Sequence, residues 1–233
     1  MVWILAVGDT ESAMEIVKVC GITSPADALM AAKAGATAIG MIFFPRSPRF
    51  VRVNEAALIS AVVPAGVLKV GVFVNDTAER IRSVVATAKL DVVQLHGDET
   101  PELCEELHDL RTWKALSVGE DFDPEVLRTY LCEAFLLDAP AGESYGGAGR
   151  TFPWASAEAA AFYGKVIIAG GLAADNVGEG IAQVDPWGVD ASSRLESRPR
   201  VKDPVKVTEF VRAALKSASE DTPPATDAPN QPS

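Results

Sequence analysis

Short apolar runs recur along the chain, separated by stretches with helical patterning. The runs are residues 16–22 (IVKVCGI), 37–44 (TAIGMIFF), 67–74 (VLKVGVFV), 90–96 (LDVVQLH), 112–118 (TWKALSV), 134–138 (AFLLD), 165–170 (KVIIAG) and 187–192 (WGVDAS). They are nearly continuous rather than alternating, which is the pattern of parallel strands covered on both faces. Between them lie helix signals. Ser24 followed by Pro25 is an N-cap with a first-turn proline, and Gly35 ends that segment. Thr100-Pro101-Glu102 and Asp123-Pro124-Glu125 repeat the start signal. Cys104, Cys132 and His108 fall in segments expected to be helical. Eight strand-then-helix units in one domain predict an α/β fold, a closed (β/α)8 TIM barrel. An open doubly wound sheet is the alternative, weakened because no GxGxxG follows the first run.

The ends differ from this pattern. Residues 1–14 precede it and are expected to form an extension, 15–216 the barrel domain, and 217–233, rich in Pro, Ala, Ser and Asp, a disordered tail. The full 233 residues suffice for one such barrel. With 48% hydrophobic and 23% charged residues the composition is that of a globular protein. A net charge of −11 argues against a nucleic-acid surface but leaves room for a locally positive site taking an anionic small molecule. Cys20, Cys104 and Cys132 form neither a disulfide framework nor a CxxC zinc pattern. Together with the lack of a signal-peptide pattern or a membrane-length apolar run, this gives a cytoplasmic expectation with no membrane partner.

In a barrel of this kind the active site lies at the C-terminal ends of the strands. The polar residues expected there are Cys20, residues 45–49, Asn75 and Asp76, His96, Asp138, Gly170 and Gly171, and Asp190 through Ser193. Glycine clusters follow the sixth and seventh runs, with Gly147 and Gly149 in the first and Gly170 and Gly171 in the second; Ser192 and Ser193 follow the eighth. Backbone N–H groups freed by glycine, with serine hydroxyls, suit a phosphate. Arg49, in the loop PRSPR, suits a carboxylate or a phosphate. Lys18 shares the strand face of Cys20 and is expected to favour its thiolate, unless Asp190 on the neighbouring strand takes the lysine as an ion pair.

These motifs, VKVCGIT, GMIFFPRSPRFV, VGVFVN, VQLHGDE, LLDA, YGGAGRTFPW, AGGLAADNV and VDASS, occur in an order that resembles the phosphoribosylanthranilate isomerase family over about residues 16–215. The resemblance implies a cofactor-free and metal-free Amadori rearrangement of N-(5-phosphoribosyl)anthranilate in tryptophan biosynthesis, by a monomer or homodimer. It implies Cys20 as general base, Asp138 as general acid and Arg49 as a substrate-binding residue; His96 and Asp190, at the same strand ends, are further substrate-binding candidates, with a loop-orienting histidine and a structural Lys18–Asp190 pair as the alternatives. Gly147, Gly149, Gly170, Gly171, Ser192 and Ser193 would form the phosphate site. A free thiol near 8.5 and a free carboxyl near 3.9 are each in the wrong state for these roles at about pH 7, so the surroundings must tune both. Two departures stand out: Pro153 where family members have the aspartate of FDW, and Arg194 where they have the glycine of SSG.

Other functions remain open on the residues alone. A phosphosugar-barrel lyase would need a catalytic lysine, and a metal-dependent epimerase a richer histidine set than His96 and His108 supply. A non-catalytic phosphate-binding module would need the glycine loops but neither Cys20 nor Asp138.

Overall fold

The computed structural model describes residues 14–119, 121–139 and 154–220. Eight parallel strands close into a barrel in chain order. They are β1 (Ile16–Val19), β2 (Ala38–Ile42), β3 (Leu68–Phe73), β4 (Val92–Leu95), β5 (Thr112–Ser117), β6 (Ala134–Asp138), β7 (Lys165–Ile168) and β8 (Gly188–Ala191). Each apolar run of the sequence contains one of them. Closure is made by β8 pairing with β1, Lys18 standing opposite Asp190, and this excludes the open sheet.

The strand parity sorts side chains into two layers. Ile16, Ala38, Val70, Val92, Trp113, Leu136 and Ile167 form one apolar cluster, drawn from seven strands, which fills the barrel. Their chain neighbours, among them Val17, Ile39, Val93 and Leu137, join the helix residues in a second cluster outside it. Each fully buried aliphatic side chain contributes about 1.5–3 kcal/mol over leaving it exposed. The same parity turns Lys18 and Cys20 inward with Ile16, Gln94 and His96 with Val92, and Asp138 with Leu136.

The outer layer is α1 (Pro25–Ala34), α2 (Val53–Val62), α3 (Ala78–Ala88), α4 (Pro101–Glu106), α5 (Ala155–Ala161), α6 (Val177–Val184) and α7 (Pro204–Glu220). The Ser24 hydroxyl accepts from the Asp27 N–H at 3.1 Å, and Gly35 closes α1 at φ 104°, as the sequence signals require. The Asp123-Pro124-Glu125 signal starts only a 3-10 segment, Pro124–Thr129, between β5 and β6. Cys132 therefore lies in the coil before β6 rather than in a helix, and His108 sits in the turn just beyond α4. Burial pushes the half-buried Cys132 thiol up to about 12. Cys104 is in α4 and fully buried, as expected of a packing residue.

Two further differences concern the C-terminal part. A short antiparallel hairpin, β9 (Glu196–Arg198) and β10 (Val201–Lys202), intervenes between β8 and α7, where no apolar run announces it. Helix α7 continues to Glu220, so residues 217–220 are helical instead of belonging to a tail. The expectations for residues 1–13 and 221–233, for Gly147 and Gly149, and for Pro153 lie outside the described residues.

Candidate active site

Cys20 follows β1 directly and is 6% exposed. Its N–H donates to the Ala191 carbonyl at 2.9 Å, and its carbonyl accepts from the Ser192 hydroxyl at 3.1 Å. The Ser192 proton is thus committed to holding the thiol's backbone rather than to an anion. Gly40 on β2 leaves the space that the thiol fills: a Cβ there would lie 2.6 Å from the Cys20 sulfur and 3.1 Å from Lys18 Cε. Gly40→Ala is expected to lose about 1–3 kcal/mol of stability by overpacking, with a fall in turnover as the sulfur shifts. Thermal unfolding and activity of that variant check this; wild-type values for both would mean that the sulfur is not held in place by this contact.

Lys18 is fully buried, its ammonium 2.9 Å from the Asp190 carboxylate. Burial opposes its charge, but Asp190 and Cys20 outweigh burial and raise its pKa. Asp190 also lines the pocket between the β6, β7 and β8 ends. For Cys20 burial is the largest influence and raises the thiol, and Asp190 adds to it. Lys18 and the more distant Lys202 pull in the opposite direction without reversing the net rise.

Asp138 ends β6 at 9% exposure, three strands round the barrel from β1. Its Oδ2 lies 3.5 Å from His96 Nε2, a close approach longer than a good hydrogen bond. His96 Nδ1 is 2.7 Å from Gln94 Nε2, and Gln94 is fully buried. Gly170 is required beside Asp138. Its φ is 79°, and a Cβ would stand 2.9 Å from Asp138 Oδ1 and 2.8 Å from the Ala139 nitrogen.

The loop after β7 has Gly170 and Gly171 both at positive φ, and with Ser192, Ser193 and Arg194 it forms the other wall of the pocket. Arg194 bends over this turn. Its Nη1 donates to the Gly171 carbonyl at 2.9 Å and its Nη2 to Asp175 at 2.7 Å. Asn176 Nδ2 donates to the same carbonyl at 3.1 Å. With two donors on that oxygen, the negative end of the peptide is engaged away from any anion in the turn.

Sequence reasoning missed four buried charges around the mouth. The Glu99 carboxylate accepts from the N–H groups of Asn75 (2.9 Å) and Gly97 (2.8 Å) and from Lys114 Nζ (2.8 Å). Lys114 donates in addition to the Gly97 carbonyl at 2.7 Å. Gly97, the residue after His96, is therefore held through both its N–H and its carbonyl. Arg49, expected to face a ligand, is forked onto Glu196, with Nε at 2.7 Å and Nη2 at 2.9 Å. Lys202 lies 3.3 Å from the same carboxylate. One signal was available: Lys114 is a charge in the middle of an apolar run.

Polar groups converging on the C-terminal rim of a closed parallel barrel place this chain among the (β/α)8-barrel enzymes. The family model described as N-(5'phosphoribosyl)anthranilate (PRA) isomerase matches residues 17–213, and the chain belongs to that family of isomerases. It is 48% identical over 199 residues to the N-(5'-phosphoribosyl)anthranilate isomerase of Solibacter usitatus, covering 85% of this chain and 96% of that one. The phosphoribosyl anthranilate isomerase structure from Thermotoga maritima superposes with a TM-score of 0.80 at 36% identity, covering 86% of this chain and 98% of that one. A further isomerase structure, in complex with reduced 1-(o-carboxyphenylamino)-1-deoxyribulose 5-phosphate, superposes at 0.77 with 35% identity over the same shares.

Proposed function

We propose that this chain converts N-(5-phosphoribosyl)anthranilate into 1-(2-carboxyphenylamino)-1-deoxyribulose 5-phosphate, without a cofactor, with Cys20 as general base and Asp138 as general acid. The observation that carries this is the placement of one thiol and one carboxyl group at the inward ends of β1 and β6, on opposite sides of the mouth, with the Gly170–Gly171 turn between them. A sugar held by its phosphate in that turn lies within reach of both groups.

The chemistry needs an acid for ring opening and a base at C2′. Asp138 gives its proton to the furanose ring oxygen, the C1′–O bond breaks, and the nitrogen lone pair forms C=N. Cys20 takes the C2′ proton, and the C–H electrons make the C1′=C2′ bond of an enaminol. Loss of the enol proton and protonation of C1′ give the ketone. The carboxylate of the anthranilate ring finds a cation in Arg49, and the complex described for the relative at 35% identity supports a phosphorylated ligand of this shape. Following the loss of substrate fluorescence on adding the protein tests the reading, and no turnover would defeat it.

Lys18 assists the base. Because burial holds the Cys20 thiol above its ordinary value, alkylation by iodoacetamide should be slow at neutral pH and climb about tenfold per pH unit until the thiol is ionised. Removing the buried pair together, Lys18→Met with Asp190→Asn, avoids stranding a carboxylate. Because Lys18 acts on the thiol more strongly than Asp190 does, the alkylation profile should still move to higher pH, and kcat should fall. An unmoved profile with unchanged kcat would show that Lys18 has no part in activation.

A further inference from the structure

We infer that Glu196 and Lys202, on the β9–β10 hairpin, are positioning residues that orient Arg49 toward the substrate carboxylate and add positive charge beside Cys20. This rests on the function proposed above and goes beyond it, because neither residue belongs to the acid–base pair or to the phosphate turn.

The geometry is a connected set of buried groups. Arg49 is held through Nε and Nη2 by both oxygens of Glu196, and Nη1 takes no part in that fork. The Arg49 stem crosses Gly21, the residue after Cys20, so closely that a Cβ there would lie 2.5 Å from Arg49 Cδ; Gly21 has φ 74°. Lys202, 2% exposed, reaches Glu196 at 3.3 Å and donates to the Ser192 carbonyl at 2.9 Å. Ser192 in turn donates to the Cys20 carbonyl at 3.1 Å. The hairpin thereby touches the arginine, the serine segment beside the pocket and the thiol's backbone at once.

Charge counting gives the set a purpose. Lys18 and Asp190 neutralise each other, whereas among the described residues Arg49 and Lys202 share the single carboxylate of Glu196. Burying an unbalanced cation is costly, and a plain structural pair would avoid it. An incoming carboxylate restores the balance, so the excess charge favours binding of an anion at Arg49. The groups facing Cys20 are Lys18 from β1, Asp190 from β8, Lys202 from β10, and Arg49 with Glu196 beside it. Lys202 draws the thiol's pKa down, and its own is lowered, chiefly by burial.

The test uses the full chain with Lys202→Met, Lys202→Arg and Glu196→Gln. Two quantities are read: the pH profile of Cys20 alkylation by iodoacetamide, located by peptide mass spectrometry, and KM with kcat for phosphoribosylanthranilate. Lys202→Met should move the alkylation midpoint up by about half a pH unit and raise KM about tenfold, and Lys202→Arg should restore both. Glu196→Gln removes a negative charge and releases Arg49, so the midpoint should move down while KM again rises about tenfold. A general loosening of the fold would not move the thiol in opposite directions in the two variants. Thiol profiles that move together or not at all, or an unchanged KM in Glu196→Gln, would overturn the inference. Should Lys202→Met not fold, the nearly isosteric Glu196→Gln decides alone. Wild-type protein that fails to turn over substrate would sink the proposed function, while the alkylation profiles still judge the hairpin.

Discussion

Cys20→Ala and Asp138→Asn are each expected to lower turnover of phosphoribosylanthranilate by about 10²–10⁴-fold, the range for removing a positioned general base or acid. KM changes little in either, because the phosphate turn and Arg49 do not depend on those two side chains for their own contacts. The two losses are not additive. Once the thiol cannot remove the C2′ proton, the acid opens the ring to an iminium that only recloses, so the double variant falls little below the worse single one. Steady-state kinetics following substrate fluorescence give kcat and KM separately. A non-catalytic phosphate-binding module predicts no effect of either substitution; near-wild-type turnover in both would favour it and end the acid–base assignment.

Lys114→Met costs about 3–5 kcal/mol of stability, the range for leaving one partner of a buried ion pair uncompensated. Glu99 is 5% exposed and would keep its carboxylate among the Asn75 and Gly97 N–H groups without a counter-ion. Replacing both, Glu99→Gln with Lys114→Met, costs less than Lys114→Met alone, since no charge is then stranded. Urea unfolding of the two single variants and the double one forms a double-mutant cycle. Simple additivity there would mean that the pair does not act as a unit. The same substitutions should lower kcat, because Glu99 and Lys114 hold the N–H and the carbonyl of Gly97, the residue after His96, and His96 is the neighbour of Asp138.

The barrel and its rim were legible in the sequence because both follow from local rules. Near-continuous apolar runs mark covered parallel strands, and in a closed barrel their C-terminal ends share one face. That was enough to place Cys20, His96, Asp138 and the Gly170–Gly171 turn at the same rim. Parity alone put Lys18 on the side of Cys20, and strand adjacency raised Asp190 as its partner, which the 2.9 Å contact bears out. What escaped depends on contacts between distant segments. Lys114 is conspicuous as a charge inside TWKALSV, but its partner Glu99 is found only once β5 lies beside β4. Glu196 and Lys202 sit in a polar stretch that reads as a loop, and only the folded hairpin buries them. Ser192 reads as an anion donor by type, yet its proton goes to the Cys20 carbonyl. Arg194 stands where a glycine was expected and bends over the Gly171 turn, a direction that no local pattern encodes. Cys132 and His108 erred the other way, where helical spacing continued past the point at which the backbone leaves the helix.

The contact between β1 and β8 has a consequence for the order of events during synthesis. Cys20 and Ser192 are 172 residues apart, yet the thiol's backbone and the charge of Lys18 are completed by β8. A nascent chain that has reached only β7 holds Lys18 with no carboxylate to meet it and an open seam where the barrel should close. Such a chain has made its thiol almost first and completes the thiol's surroundings only last. The sulfur proposed as the base is thus enclosed by the same step that finishes the fold, and a chain cut short before Gly188 carries the cysteine without the β8 contacts that complete its surroundings.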